Sequence, residues 1–247
     1  MKRVDQALVE RGFCDSREKA RRAVMAGRVR VNQQTARKPS DSVADGDDLG
    51  LESGEKFVSR GGHKLDHALN HFQLDVRGIL AVDLGASTGG FTDCLLQRGA
   101  ARVFAVDVGH GQLAWKLRND PRVVAMERTN ARNLRPAAMP APFEPAGLVT
   151  ADCSFISLRL VLPAAVALLR PGGRIVALVK PQFEAGRAEA DRGAGVITDP
   201  AVHQRVLAEL EAFTSTLGGI AWRGVTASPL LGPAGNREFL ALLETTR

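Results

Sequence analysis

Beyond residue 78, the chain alternates between short apolar runs and stretches in which apolar residues recur every three or four positions. The first pattern indicates buried strands and the second indicates amphipathic helices. The alternation therefore predicts βαβ units and an α/β domain with a largely parallel sheet. The predicted strands are 79–83, 102–107, 122–127, 146–151, 173–180, 220–226 and 237–243. The predicted helices are 91–98, 110–118, 156–169 and 200–217, preceded by one that buries Leu65, Ala68, Leu69 and Phe72.

The start of the chain follows a different pattern, with two short amphipathic helices ahead of short strands. Val4 begins the apolar face of the first helix, and Asp15 or Ser16 is placed to cap a second helix over 17–26. Strand-like runs follow at 28–32 and 48–51. We therefore predict a small α+β domain at 1–53, a linker at 54–58 and the α/β domain at 59–247.

A glycine-rich turn, Gly85-Ala86-Ser87-Thr88-Gly89-Gly90, follows the first strand of the larger domain. About 20 residues later Asp107 ends the next apolar run, and an acid at this distance typically holds the hydroxyls of a ribose. The pattern therefore predicts a nucleoside-containing cofactor. Ser87 replaces the middle glycine of the dinucleotide pattern, and no Gly-Lys-Ser/Thr triplet is present. We therefore expect neither a pyrophosphate site nor a P-loop.

S-adenosylmethionine fits this turn, because it has no phosphate and needs close backbone approach and an acid for its ribose. The terminal strand pair also favours a methyltransferase, since a nicotinamide dehydrogenase would continue with βα units. We predict a Rossmann-like class I methyltransferase domain with a seven-stranded sheet whose last strand is antiparallel. The candidate cofactor-binding residues are Asp83, Gly85, Ala86, Ser87, Thr88, Gly89, Phe91, Asp107, Val108, Thr129 and Asn130.

Polar residues follow two other predicted strands at the point where each strand ends. Asp152 comes directly after one apolar run, and Lys180 comes after the next. Because the carboxyl ends of parallel strands face one crevice, we expect both side chains near the glycine turn. Lys64 from the preceding helix and Glu238 from the last strand are candidates to join them. Spacing alone leaves open whether the four form a catalytic group or an ordinary cluster of ion pairs.

Positive charge is concentrated at the start of the chain. Residues 1–38 hold 11 basic and 4 acidic residues, a net charge of +7, whereas the remainder holds 22 and 23, a net charge of −1. Such an excess indicates an anion-binding module, for which RNA phosphates are suitable ligands. A solvated basic helix without a partner would have the same composition.

Other residue patterns narrow the class of protein. The 3 cysteines are far apart, so neither a disulfide framework nor a zinc site is expected. His63, His67 and His71 share one side of a helix, but no carboxylate or thiol has matching spacing, so we favour a polar face and predict no metal. We find no signal peptide and no apolar stretch of membrane-spanning length. We therefore expect a cytoplasmic protein that does not enter a membrane.

Six motifs in the same order resemble the TlyA family over nearly the whole chain. They are Ser59-Arg60-Gly61-Gly62-His63-Lys64-Leu65, Asp83-Leu84-Gly85-Ala86-Ser87-Thr88-Gly89-Gly90-Phe91, Glu127-Arg128-Thr129-Asn130-Ala131-Arg132, Asp152-Cys153-Ser154-Phe155-Ile156-Ser157, Leu178-Val179-Lys180-Pro181-Gln182-Phe183-Glu184 and Gly235-Asn236-Arg237-Glu238. The start of the chain is similar to the alpha-L RNA-binding domain. Members of the TlyA family combine such an N-terminal domain with an FtsJ-like methyltransferase domain.

The resemblance implies methylation of the 2'-hydroxyl of a cytidine in ribosomal RNA, with S-adenosylmethionine as the donor. It carries the Lys-Asp-Lys-Glu tetrad of FtsJ-like enzymes over to Lys64, Asp152, Lys180 and Glu238. Our hypothesis is that Lys180 stabilises the developing alkoxide or accepts its proton, and that the two carboxylates orient the lysines. Lys64 would steady the ribose or a phosphate. The candidate RNA-binding residues are Arg3, Arg17, Lys38, Arg60 and Arg132.

Three rival functions remain at this point. They are a non-catalytic RNA-binding factor in ribosome assembly, a haemolysin and a nicotinamide dehydrogenase. The length of the chain resembles that of shorter family members, so we expect the protein to act on the large ribosomal subunit. We also expect a monomer.

Overall fold

A computed structural model of the protein describes residues 1–52, 54–186, 189 and 193–246. The chain divides into two compact units, Met1–Lys56 and Phe57–Arg247. The border between them falls within the segment 54–58, which the sequence predicts to be a linker.

Among its described residues, the small unit has two helices and five short strands. The helices are α1 (Val4–Glu10) and α2 (Arg17–Met25), and the strands are β1 (Lys2–Arg3), β2 (Val29–Val31), β3 (Gln34–Thr35), β4 (Ser42–Val43) and β5 (Leu49–Leu51). The strands form one sheet of β1 and β4 and another in the order β3-β2-β5. Of the two candidate caps for α2, Ser16 is the one in place, since its Oγ accepts a hydrogen bond from the backbone N–H of Lys19. Leu8 and Val29 are fully buried between the helices and the strands.

The large unit alternates strands and helices around one sheet. The helices in the described part of this unit are α3 (Gly61–His71), α4 (Gly90–Gln97), α5 (Trp115–Arg118), α6 (Leu158–Ala167), α7 (Pro181–Glu184) and α8 (Pro200–Thr216). Its strands are β6 (Leu80–Leu84), β7 (Arg102–Val106), β8 (Val123–Met126), β9 (Ala146–Ala151), β10 (Leu169–Val179), β11 (Ile220–Ala227) and β12 (Phe239–Thr245). Among the described residues, no helix combines the length and the apolar character that crossing a membrane requires.

The predicted seven-stranded sheet is confirmed, in the order β11-β12-β10-β9-β6-β7-β8. Strand β12, the last in the chain, runs antiparallel to both of its neighbours. The pairs from β10 through β8 are all parallel. Because β12 is antiparallel to these strands, its amino end lies at the same edge as their carboxyl ends.

Helices cover both faces of the sheet, which explains why its central strands are apolar without alternation. On β6, Val82 and Leu84 pack in the same cluster as α6, whereas Ala81 packs on the opposite face with α3 and α4. Both sets of side chains are buried. The two clusters hold the strand ends in fixed positions at the edge where the candidate site lies.

Two predicted boundaries differ from the structure by more than two residues. The predicted helix 110–118 is reduced to α5, because polar side chains bind the backbone N–H groups of the preceding segment. Asp107 Oδ1 accepts from Gly109 at 2.7 Å, and Glu127 Oε1 accepts from Gly111 at 2.8 Å. Strand β10 begins at Leu169 rather than at 173, since it continues directly from α6 and pairs with β9 at Ala146.

Candidate active site

The turn between β6 and α4 requires glycine at two positions for steric reasons. Gly85 has a φ of 84°, and a Cβ there would lie 2.6 Å from the backbone oxygen of Asp152. Gly89 has a φ of 95°, and a Cβ there would overlap the side chain of Leu117. The absence of side chains lets the turn pass close to the end of β9 and to helix α5. The turn and Asp152 are neighbours for this reason.

The same turn is tied to the end of β7 through Asp107. The backbone N–H of Ser87 donates a hydrogen bond to Asp107 Oδ2 at 2.8 Å. Ser87 has a φ of 49°, a left-handed conformation that is uncommon for residues other than glycine. Asp107 lies at the position predicted for an acid that holds ribose hydroxyls, next to the turn.

Asp83 lies beneath the turn and does not line the cleft. Its side chain is fully buried and accepts hydrogen bonds from Thr92 Oγ1 at 2.7 Å and from Thr150 Oγ1 at 2.9 Å. Burial raises the pKa of Asp83 to about 6, because the charged carboxylate is removed from water. Asp83 therefore supports the turn from beneath. Gly89 likewise does not line the cleft, and its role is to let the turn pack closely.

The candidate cofactor cleft is a cavity of about 700 Å³ at the ends of β6, β7 and β9. The predicted residues that line it are Gly85, Ser87, Asp107, Val108, Thr129, Asn130 and Arg132. Cys153, Ile156 and Leu160 supply an apolar wall that the sequence did not predict. A carboxylate beside an apolar wall suits a nucleoside, so this lining fits S-adenosylmethionine. Burial raises the pKa of the Cys153 thiol to about 12, so Cys153 contributes apolar surface rather than a thiolate.

The four predicted catalytic side chains meet in an adjoining cavity of about 500 Å³. Lys64 Nζ lies 2.5 Å from Glu238 Oε2, and Lys180 Nζ lies 2.6 Å from Asp152 Oδ1. Both lysines are buried, with at most 10% of either side chain exposed. Ala86, Thr88 and Phe91 line the same cavity, and the two cavities are adjacent, since Gly85, Ser87, Asp152 and Ser154 line both.

The topology of the sheet brings these four residues together. Asp152 and Lys180 directly follow the parallel strands β9 and β10, whose carboxyl ends share one edge. Glu238 directly precedes β12, and the pairing of Val179 with Phe239 places that strand's amino end at the same edge. Lys64 reaches the edge from the first turns of α3.

Two arginines predicted to bind RNA share one buried carboxylate in the small unit. Asp5 Oδ1 accepts from Arg3 Nε at 2.9 Å, and Asp5 Oδ2 accepts from Arg17 Nε at 3.1 Å. The arginine side chains remain 43% and 53% exposed. Hydrogen bonds from Arg3 and then Arg17 hold the pKa of Asp5 below its usual range. The backbone N–H of Asp5 donates a hydrogen bond to Pro39 O. Lys38 directly precedes Pro39, so it lies in the turn beside this cluster.

The other two candidates for RNA binding lie in the large unit. Arg60 lines the catalytic cavity and donates from its guanidinium to Leu231 O at 2.8 Å. Arg132 is exposed and lines the cofactor cleft.

Sequence reasoning missed several polar residues that organise the site. Ser154 Oγ accepts a hydrogen bond from Lys180 Nζ at 2.8 Å, and the signal available for it was its place two residues after Asp152. Glu184 accepts from Ser157 Oγ and from the backbone N–H of Leu158, both at 2.7 Å, and so ties α7 to the start of α6. Burial raises the pKa of Glu184. No sequence pattern indicated the role of Asp5, because an ion pair between two helices cannot be read from the spacing of residues.

Known proteins share both units of this chain. The family model described as FtsJ-like methyltransferase matches residues 57–245, and the model described as S4 domain matches residues 2–49. The chain is 49% identical over 247 residues to the 16S/23S rRNA (cytidine-2'-O)-methyltransferase TlyA of Mycobacterium tuberculosis, covering 98% of this chain and 90% of the relative.

Two further relatives extend the comparison. Hemolysin A of Brachyspira hyodysenteriae is 38% identical, covering 97% of this chain and 98% of that protein. A solved structure from Streptococcus thermophilus is 45% identical with a TM-score of 0.75, covering 99% of this chain and 88% of that one. The chain therefore belongs to the FtsJ-like methyltransferase family, among the TlyA proteins that carry an S4 domain ahead of the methyltransferase domain.

Proposed function

We propose that this protein transfers a methyl group from S-adenosylmethionine to the 2'-hydroxyl of a cytidine in ribosomal RNA. The observation that carries the proposal is the convergence of two lysines and two carboxylates beside the cofactor cleft. The large subunit is the first substrate to test, because the M. tuberculosis relative is named for the RNA of both subunits and a Campylobacter jejuni relative is named for 23S rRNA alone. We infer that the protein works as a monomer in the cytoplasm.

The geometry of Lys180 supports a role at the reacting oxygen. S-adenosylmethionine, when bound, supplies an electrophilic methyl group on its sulfonium. Lys180 Nζ donates a hydrogen bond to Ser154 Oγ and forms an ion pair with Asp152 Oδ1. Because an ammonium group has three N–H donors, a further donor would serve the ribose 2'-oxygen. Lys180 would stabilise negative charge on that oxygen while its proton passes to solvent; the O–CH3 bond would form as the S–CH3 bond breaks, and the donor would leave as a neutral thioether.

The remaining charged residues would orient the reacting groups. Asp152 fixes the direction of the Lys180 ammonium, and Glu238 does the same for Lys64 across the cavity. Lys64 would then steady the ribose or a neighbouring phosphate by hydrogen bonding. Holding the hydroxyl in line with the methyl group supplies a large part of the rate enhancement in reactions of this kind.

The small unit would supply affinity for RNA. Asp5 fixes the half-exposed side chains of Arg3 and Arg17, and Lys38 lies beside them. These basic side chains are suited to binding RNA phosphates, which give affinity without recognition of the base sequence.

Replacing Lys180 with Ala tests the catalytic assignment. We expect methyl transfer to fall by at least about 100-fold, because removal of one donor to a developing oxyanion has an effect of this size. The affinity for S-adenosylmethionine, measured by calorimetry, should stay close to that of the unchanged protein. The exposed Arg77→Ala change, at the other edge of the sheet, is the matched control and should keep full activity.

Two results would count against this proposal. Near-normal methyl transfer by a correctly folded Lys180→Ala protein would remove Lys180 from the mechanism. A complete lack of S-adenosylmethionine binding by the unchanged protein would favour the rival function, a non-catalytic factor in ribosome assembly.

A further inference from the structure

A large aromatic side chain lies exposed on helix α5. Trp115 begins this helix and is 79% exposed, whereas Leu117 in the same short helix is buried. Tryptophan is highly buried on average, because its indole gains much from leaving water. Exposure alone is weak evidence, since single apolar side chains are common on protein surfaces. The groups beside the indole therefore decide which ligand it suits.

Helix α5 is fixed to the glycine turn, so the position of Trp115 is well defined. The backbone N–H of Ala114 donates to Thr88 O at 3.1 Å. Thr88 lines the catalytic cavity, and Gln112, three residues before Trp115, lines the cofactor cleft. Trp115 is not among the described residues that line either cavity. Its indole therefore lies outside both cavities but next to the segment that borders them.

The segment packed against α5 carries an arginine whose charge is not compensated. Glu127 accepts hydrogen bonds from Arg118 of α5 and, at 2.8 Å, from the backbone N–H of Gly111. Arg128 follows it, and its backbone N–H donates to Gly109 O at 3.0 Å. The exposed guanidinium of Arg128 has no hydrogen bond or ion pair among the described residues. This surface thus offers an aromatic face together with a free cation.

We propose that Trp115 and Arg128 form a further contact surface for RNA, in which the indole stacks on an unpaired base away from the reacting nucleotide and the guanidinium binds a backbone phosphate. The proposal rests on the function proposed above, because the substrate of that function is RNA. Every base has a face that can stack and every nucleotide has a phosphate, so this pair of groups suits a single strand. Exposed Arg132 continues the positive charge along the rim of the cofactor cleft.

A membrane surface or a second copy of the chain matches these groups less well. Insertion into a membrane interface requires a broad apolar face. In the described segment 100–130, Val108 is the one other large apolar side chain that is exposed. The centre of a protein–protein interface is depleted of charged residues, whereas Arg128 brings an uncompensated charge. The charge complements RNA.

Three substitutions of Trp115 separate stacking from simple apolar contact. We expect the KM for large ribosomal subunits to rise about tenfold in Trp115→Ala and in Trp115→Leu, because loss of one base–aromatic stack has an effect of this size. Trp115→Phe keeps an aromatic ring and should restore a KM close to that of the unchanged protein. The kcat, the dissociation constant for S-adenosylmethionine and the melting temperature should stay unchanged in all three, since the indole is exposed and outside both cavities.

Fluorescence observes the contact directly, because the protein has only two tryptophans. Trp222→Phe leaves Trp115 as the emitting residue, and Trp115→Phe leaves Trp222, on strand β11. Each variant is titrated with protein-free RNA of the large subunit, whose light absorption affects both variants equally. We expect the RNA to quench Trp115 more strongly than Trp222, because a stacked base quenches an indole.

Arg128→Gln tests the phosphate contact. We expect the slope of log affinity against log salt to fall by about 1, because one phosphate contact is lost. Arg77→Gln is the control and should leave the slope unchanged. An unchanged slope in Arg128→Gln would remove Arg128 from the surface.

Several outcomes would overturn the role of Trp115. A normal KM in Trp115→Leu would show that no stacking occurs. Quenching of Trp115 by S-adenosylmethionine alone would place the indole on the cofactor. A response of Trp115 to vesicles of anionic lipid, or to protein concentration, without a response to RNA would assign the surface to a membrane or to a second copy. Absence of methyl transfer by the unchanged protein would instead contradict the proposed function, and quenching of Trp115 by RNA would still support the contact.

Discussion

At the scale of single residues, each buried lysine of the catalytic cavity is matched by one carboxylate. Lys64 pairs with Glu238 and Lys180 with Asp152, which compensates the cost of removing each charge from water. The residue types were predictable from sequence, because Asp152 and Lys180 end apolar runs. Their pairing was not, since Lys64 and Glu238 are 174 positions apart in the chain. Only the folded sheet shows which carboxylate serves which lysine.

Asp83 gives a prediction at this scale. Its folded pKa of about 6 is above the ordinary value of 3.8, so the folded protein binds this proton more tightly than the unfolded chain does. Stability should therefore fall as the pH rises from about 4 to about 6, by on the order of 3 kcal/mol. Asp83→Asn removes the titration, so its stability should be flatter over this range and at least equal to that of the unchanged protein at pH 7.

The measurement is the free energy of unfolding in urea from pH 4 to pH 7.5. Asp75→Asn is the control, because Arg77 holds the pKa of the exposed Asp75 at about 2, outside the range tested. A slope that is identical in Asp83→Asn and the unchanged protein would show that Asp83 does not titrate in this range.

At the scale of elements, the antiparallel strand β12 completes the site. A seventh strand parallel to the others would place Glu238 at the opposite edge of the sheet, far from Lys64. The terminal strand pair was predictable from the apolar runs, and its insertion between β10 and β11 is a property of the fold. The loop ahead of α5 was not predictable, because the bonds of Asp107 and Glu127 to backbone N–H groups override helical spacing.

The α1–α2 pair gives a prediction for RNA binding. Arg17→Gln should weaken binding to ribosomal RNA and reduce the slope of log affinity against log salt by about 1, because one phosphate contact is lost. The measurement is a filter-binding titration at several salt concentrations. Arg77→Gln removes the same charge from the large unit and should leave the slope unchanged. Equal slopes for Arg17→Gln and the unchanged protein would exclude Arg17 from the interface.

At the scale of the whole molecule, the excess of positive charge and the candidate catalytic residues belong to different units. Residues 1–38 carry a net charge of +7, whereas the paired lysines and the cofactor cleft belong to the unit Phe57–Arg247. This division was predictable, since it follows from counting charges and locating the glycine turn. The Asp5 cluster was not predictable, because burial depends on contacts between distant parts of the chain.

The most direct test of the central claim is to identify the atom that receives the methyl group. Separate large and small ribosomal subunits would be incubated with the protein and S-adenosylmethionine carrying a tritiated methyl group. Their RNA would then be digested to nucleosides, and the labelled site would be mapped. We predict label in 2'-O-methylcytidine from the large subunit, and at least about 100-fold less of it with Lys180→Ala. Label on a base, or no label on the RNA of either subunit, would contradict the account.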